Sequence, residues 1–199
     1  MMQELITELK EMVRGEISGV HTALPAEIKS YDADNGLATV KPKAKYKQPN
    51  GKTIDFPEIS GVPVAFPQNK SFTIAFPIKA GDECLLIFAE QSLDFWLYGK
   101  ETDTELKHDL SNAVAIPNIN PRGNPEMKRA CIEDAVIVKV GETELKANKD
   151  GIFIKGNVEI TGDIRVVGKA DTTGDVTAGG KSLMSHTHTG VHGGTTPPN

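Results

Sequence analysis

The chain has 199 residues, with 22 Lys and Arg against 27 Asp and Glu, a formal net charge of −5 at pH 7 and 25% charged residues. That composition fits a globular protein rather than a disordered one, and no block of Lys or Arg offers the electrostatic footprint that nucleic acid requires, so no nucleic acid is expected as a partner. The longest apolar run, Cys84-Leu85-Leu86-Ile87-Phe88-Ala89, falls far short of the ~20 residues that span a bilayer, and Glu4 and Glu8 stand where an export signal would be basic.

Residues 3–20 place Leu5, Leu9, Met12, Val13, Ile17 and Val20 at helical spacing, with Glu4, Glu8, Lys10, Glu11 and Arg14 on the other side. The spacing predicts an amphipathic helix ending near Gly19. Its apolar stripe needs a cover, and three are open: the following domain, the same helix of another subunit, or a partner protein.

From Pro25 to about Ala115 the signals are those of short strands. Residues 26–31 and 37–41 flank a hairpin loop, Asp32 to Gly36, whose Asn35-Gly36 pair tolerates positive φ. Further strands are predicted at Gly61 to Phe66, Ser71 to Phe76, Glu83 to Glu90 and Asp94 to Tyr98. Ten of the eleven aromatic residues lie between Tyr31 and Tyr98, so this stretch carries its own core, and five or six short strands suit a small closed barrel of the OB type, with a small sandwich as the competing arrangement. Ile116 to Met127 holds Pro117, Pro121 and Pro125 and reads as a linker or wrapping loop. Alternation resumes at Val136 to Val140, Thr143 to Ala147 and Ile152 to Ile154. Cys84 and Cys131 fit neither a disulfide framework nor a zinc pattern, and both are expected as buried thiols.

Glycine then recurs at 156, 162, 168, 174 and 180, a period of six over five repeats. Two after each glycine stand Val158, Ile164, Ala170, Val176 and Ser182, and four after it Ile160, Val166, Thr172, Ala178 and Met184. Two inward positions per hexad, with Gly-Asn or Gly-Asp at the corner, describe one strand of a β-helix. A single-chain helix with three hexads per coil would complete fewer than two coils here, a stub without a core. Three chains each supplying one face would turn the same hexads into a full shaft, so a homotrimer is predicted.

Three of the five histidines, His186, His188 and His192, lie in the last fourteen residues. On an extended backbone His186 and His188 point to one side, and three chains would bring six imidazoles to the axis, a set suited to an octahedral first-row metal rather than to zinc. His186 and His188 are the expected metal ligands. His192, beyond Gly190, is not.

Taken together, residues 81–88 (Gly-Asp-Glu-Cys-Leu-Leu-Ile-Phe), Asp94-Phe95-Trp96, the segment from His108 to Ala113, the glycine hexads and the terminal His186-Thr187-His188 resemble the central tail spike, or membrane-piercing baseplate spike, of contractile-tailed bacteriophages and R-type pyocins. The resemblance implies an all-β fold: an N-terminal helix (1–22), an OB-fold attachment domain (23–116), a linker (117–131), an intertwined trimeric β-helix or β-prism shaft (132–181) and a metal-binding apex (182–199). It implies an iron ion, one per trimer, held on the three-fold axis by His186 and His188. It also implies partners, namely the baseplate hub and tail tube on one side and the host outer membrane and cell envelope on the other, with the protein located in the virion at the baseplate tip.

Such a spike needs no catalysis and no small-molecule substrate. An envelope hydrolase is the enzymatic rival, but the stretch from Pro117 to Cys131 is too short for a lysozyme module. Glu126, Glu133 and Asp134 read as solvated charges, and no nucleophile elbow or zincin motif occurs. An OB-fold glycan-binding module and a hexapeptide acyltransferase also compete, the latter weakened by the coil count.

Overall fold

A computed structural model describes residues 2–48, 51–100, 106–117, 119, 122–191, 193, 194 and 196. In chain order the elements are α1 (Met2–Ser18), β1 (Ala23–Asp32), β2 (Leu37–Pro42), β3 (Lys45–Lys47), β4 (Thr53–Asp55), β5 (Ile59–Pro63), β6 (Glu83–Phe88), α2 (Asp94–Tyr98), β7 (Ala113–Pro117), α3 (Pro125–Glu133), β8 (Val136–Val140), β9 (Thr143–Asn148), β10 (Gly151–Lys155), β11 (Thr177–Ala178), β12 (Lys181–Ser182), β13 (Thr189–Gly190) and β14 (Gly193–Gly194). The fold is all-β with few helices, as the sequence predicts. Two compact units divide it, Met1–Arg129 and Ala130–Asn199. No helix among the described residues is long and apolar enough to cross a membrane.

In the first unit five strands form an antiparallel sheet in the order β5-β2-β1-β6-β7. Its two edges meet: Val64 bridges Ala115 in parallel, and the Ala65 N–H donates to the Ala115 carbonyl at 2.9 Å. The sheet thus curls into a small barrel, and the strand order with one parallel closure is that of the OB fold. Alternation decides what lies inside. Ala26 and Ile28 of β1, Ala38 and Val40 of β2, Cys84, Leu86 and Phe88 of β6, and Ala113 and Ala115 of β7 are all buried, each two residues from the next.

Two predicted strands take other forms. Ser71 to Phe76 is not a strand: closing the barrel leaves no free edge for it, and apart from a single bridge between Gln68 and Thr73 it stays a loop, with the Phe66 and Phe76 rings in tilted contact at 5.0 Å between centroids. Asp94 to Tyr98 is the helical turn α2. The Leu97 N–H returns to the Leu93 carbonyl at 2.8 Å, and Gly99 ends the turn in the left-handed region at φ 65°. This leaves Phe95, Trp96 and Tyr98 exposed instead of alternating into the core.

The segment before β7 carries the one buried polar side chain of the barrel among the described residues. Asn112 is 3% exposed; its Nδ2 reaches the carbonyls of Ala89, Gln91 and Leu106 at 3.2, 2.6 and 3.2 Å, and its Oδ1 accepts the Leu93 N–H at 2.9 Å. One amide therefore ties together the end of β6, the entry to α2 and the approach to β7. Asn112→Ala is expected to strand these groups without partners and to cost about 3 kcal/mol, read as a lower denaturant midpoint for the barrel. An unchanged midpoint would show that water replaces the amide.

Cys84 is buried as expected, and desolvation pushes its thiol up to about 11. Cys131 is exposed, contrary to expectation, because it lies on the short helix α3, none of whose residues is buried. That helix also replaces part of the predicted linker: Pro125 suits a first helical turn, where its missing N–H costs nothing, and the Asn124 side chain accepts the Met127 N–H at 2.7 Å. Rapid modification of one thiol per chain by a maleimide, abolished by Cys131→Ser, is the expected result at neutral pH; two fast thiols would contradict the burial of Cys84. The neutral Cys84 thiol favours the folded state until pH passes the ordinary thiol value near 9, and that contribution is lost as pH rises toward about 11.

In the second unit β10-β9-β8 form an antiparallel three-stranded sheet. Glu133 does not stand as a lone solvated charge: Lys146 of β9 pairs with it at 2.8 Å, and Arg129 pairs with Glu126 on α3 at 2.7 Å.

Candidate functional site

The first part of the site is the hexad segment. Gly156, Gly162 and Gly168 adopt φ of 130°, 139° and 135°, so three successive repeats bend the backbone alike in a region that side chains rarely enter. Gly174 does not share this conformation, and Gly180 (φ 77°) forms with Gly179 (φ 57°) the turn between β11 and β12. The repeat is structurally uniform over three glycines, not five.

Between Lys155 and Thr177 the single chain forms no strand. The hexad side chains Val158, Ile160, Ile164 and Val166 are 54–68% exposed. Among the described residues nothing buries these apolar positions.

The same imbalance marks the sheet that precedes them. Register places Val136, Ala147 and Ile152 in one row and Val138, Leu145 and Ile154 in a second row on the same face. Both rows are wholly apolar, with Val140 beside Thr143 next to them, yet Val136, Val138, Ile152 and Ile154 are each more than half exposed. The opposite face carries Lys139, Glu144 and Lys155 in one row, and Lys146 Nζ lies 5.1 Å from the Phe153 ring centroid. Alternation in the sequence signalled these strands; their assembly into one sheet with a bare apolar face was not read from it.

The second part is the histidine apex. The Leu183 N–H donates to the Val176 carbonyl at 2.8 Å, and Asp175 accepts the Met184 N–H at 3.1 Å. The Ser182 hydroxyl and then the Met184 N–H hold the Asp175 carboxyl below the usual carboxylate range. The chain that emerges from this turn sets His186, half-buried, beside the exposed His188, with ring centroids 5.0 Å apart.

His186 Nδ1 lies 3.1 Å from the Ser182 carbonyl and 3.0 Å from the Leu183 carbonyl. Carbonyls only accept, so in this arrangement Nδ1 carries a proton, and in the neutral ring the lone pair is on Nε2. A second partner fixing the tautomer in this way is the usual companion of an imidazole that ligates through its other nitrogen. The donor set therefore fits a nitrogen-ligated transition metal in chemistry. In number it does not, for one chain brings two imidazoles together, and the described residues contain no group of three or more His, Cys, Asp or Glu able to hold an ion. His192 lies outside the described residues.

Residues 24–118 match the family model described as phage protein Gp138 N-terminal domain. The match supports a phage structural protein. It covers the barrel from β1 through β7, and the glycine hexads and the His186–His188 pair lie beyond it. No curated protein matches the chain.

Proposed function

We propose that this phage structural protein is the central spike at the tip of a contractile tail, where three copies form a rigid point driven through the host cell envelope on contraction. The observation that carries the reading is the hexad segment. Its apolar residues alternate as a buried strand requires, three of its glycines repeat one bend, and among the described residues nothing buries it. Other copies of the same chain, carrying the same pattern, supply the missing faces with matched period, which a heterologous partner would have to imitate. Wound about one axis, the three chains leave no free sheet edge and no subunit to peel away under axial load.

In this reading the barrel is the attachment end, held by the baseplate hub and tail tube, and the apex is the leading end, which meets the host outer membrane. His186 and His188 from three chains would provide six imidazole nitrogens to one iron ion on the axis. The ion supplies a cross-link among three C-termini and no reaction. The chain's own part is to hold His186 in the tautomer that presents Nε2 and to close the backbone around the axis with the glycines that follow. No catalysis, small-molecule substrate or nucleic acid is called for.

The test is direct. An electron micrograph of the parent particle, with antibody or gold directed at residues 182–196, is expected to show label at the distal tip of the tail. Label along the sheath, in fibres or at the head would overturn the reading.

A further inference from the structure

The helix α1 has no buried residue, and Leu5, Ile6, Leu9, Met12 and Val13 are 45–61% exposed although its own unit includes the barrel. The following domain, one of the three possible covers, therefore does not serve. At about 100° per residue the apolar stripe spans roughly 140° of the helix, wider than the a/d seam of a two-helix pair and wide enough to touch two neighbours.

The charges beside the stripe are sorted by sign. One shallow depression is lined by Ile6, Leu9, Lys10, Val13 and Arg14, the other by Met2, Glu4, Leu5 and Glu8. Lys10 and Arg14 flank one side and Glu4 and Glu8 the other, whereas Glu16 falls within the stripe, three residues from Val13 and four from Met12. Glu4 and Glu8 stand four apart, as do Lys10 and Arg14, so within a single helix each flank sets like charges side by side, an arrangement that disfavours the isolated helix.

We propose that α1 packs in parallel against α1 of the other copies, forming a helical bundle in which each acidic flank meets the basic flank of the next. The sorting of charge selects the direction: antiparallel packing would set acid against acid and base against base, whereas parallel packing around a ring pairs every flank with its opposite. The width of the stripe selects more than two members, and the count of three rests on the homotrimer proposed above. The chain thereby carries a second assembly element at the end remote in sequence from the shaft.

The experiment uses the full chain with Cys131→Ser, leaving the buried Cys84. Leu5→Cys is expected to give two-chain adducts with a short bis-maleimide, because a parallel bundle brings the three positions together at the axis. Thr7→Cys, on the opposite face, is expected to give none. Adding Lys10→Glu and Arg14→Glu to the Leu5→Cys chain is expected to slow cross-linking at least about tenfold through like-charge contact, and further addition of Glu4→Lys and Glu8→Lys to restore it.

The barrel's thermal transition reports folding of each variant, since α1 buries nothing against it. A trimeric mass without cross-linking at Leu5 overturns this inference and leaves the spike reading standing; so does equal cross-linking at Thr7. A monomeric mass overturns both.

Discussion

Val158→Asp combined with Ile164→Asp is expected to dissociate the proposed homotrimer. Each of these side chains, more than half exposed in the single chain, gains about 1.5–3 kcal/mol when fully buried. Every substitution is repeated three times around the axis, so one position alone removes roughly 5–9 kcal/mol from the assembly. Introducing a carboxylate into an apolar interior adds its desolvation to that loss.

The barrel gives the internal control. Its core, made by Ile28, Val40, Val62, Leu86 and their neighbours, lies within Met1–Arg129, so its unfolding transition is expected to persist while mass in solution falls. Truncation after Gly151 is expected to act the same way, weakening association and heat resistance without opening that core. Light scattering settles the matter: a trimer that survives the double substitution unchanged, or a wild-type chain that is already monomeric, would show that the hexads do not hold the copies together.

The second large effect is at the apex. Iron is expected to copurify at one ion per three chains, and His186→Ala with His188→Ala is expected to abolish it while the trimeric mass is retained, because in the proposed spike the hexads rather than the ion hold the shaft. Single substitution of His186 is the more informative variant. Its Nδ1 is engaged by the carbonyls of Ser182 and Leu183, so its loss would remove a proposed ligand already turned for the task, and metal affinity is expected to fall by at least the roughly 10–100-fold that losing an outer partner alone costs. His192→Ala is expected to leave the metal content unchanged. Elemental analysis that returns one ion per chain, or iron retained after the double substitution, would place the ligands elsewhere.

Much of this was legible in the sequence because it depends on period. The helix α1 ends at Ser18, one residue from the glycine that the pattern marks, and β1, β2 and β6 lie where period-two alternation places them. Asp94 to Tyr98 failed the same test for a physical reason. Its aromatic residues favour a strand, but Ser92 before it and Gly99 after it are helix-boundary residues, and the Asn112 side chain captures the Leu93 N–H from a distance of nineteen positions. Propensity lost to a tertiary hydrogen bond. Ser71 to Phe76 failed because a closed barrel has no edge left to offer, and Cys131 because a thiol is buried by its neighbours rather than by its kind.

At the site, the pair His186 and His188 could be chosen from spacing alone, since side chains two apart on an extended chain share a side. The tautomer of His186 could not, for it depends on the Ser182 and Leu183 carbonyls that the turn after β12 brings to its ring. The hexad glycines were visible as a period; that three of them share one bend while Gly180 serves a hairpin turn is set by the backbone that follows. By itself the sequence determined the all-β class, the core alternation of the barrel and the surplus of apolar residues beyond Gly151, because these are local properties of order and composition. Only the tertiary structure decided which strands close the barrel, where Asn112 locks it, and that this surplus is bare, because closure and burial depend on which distant segments meet.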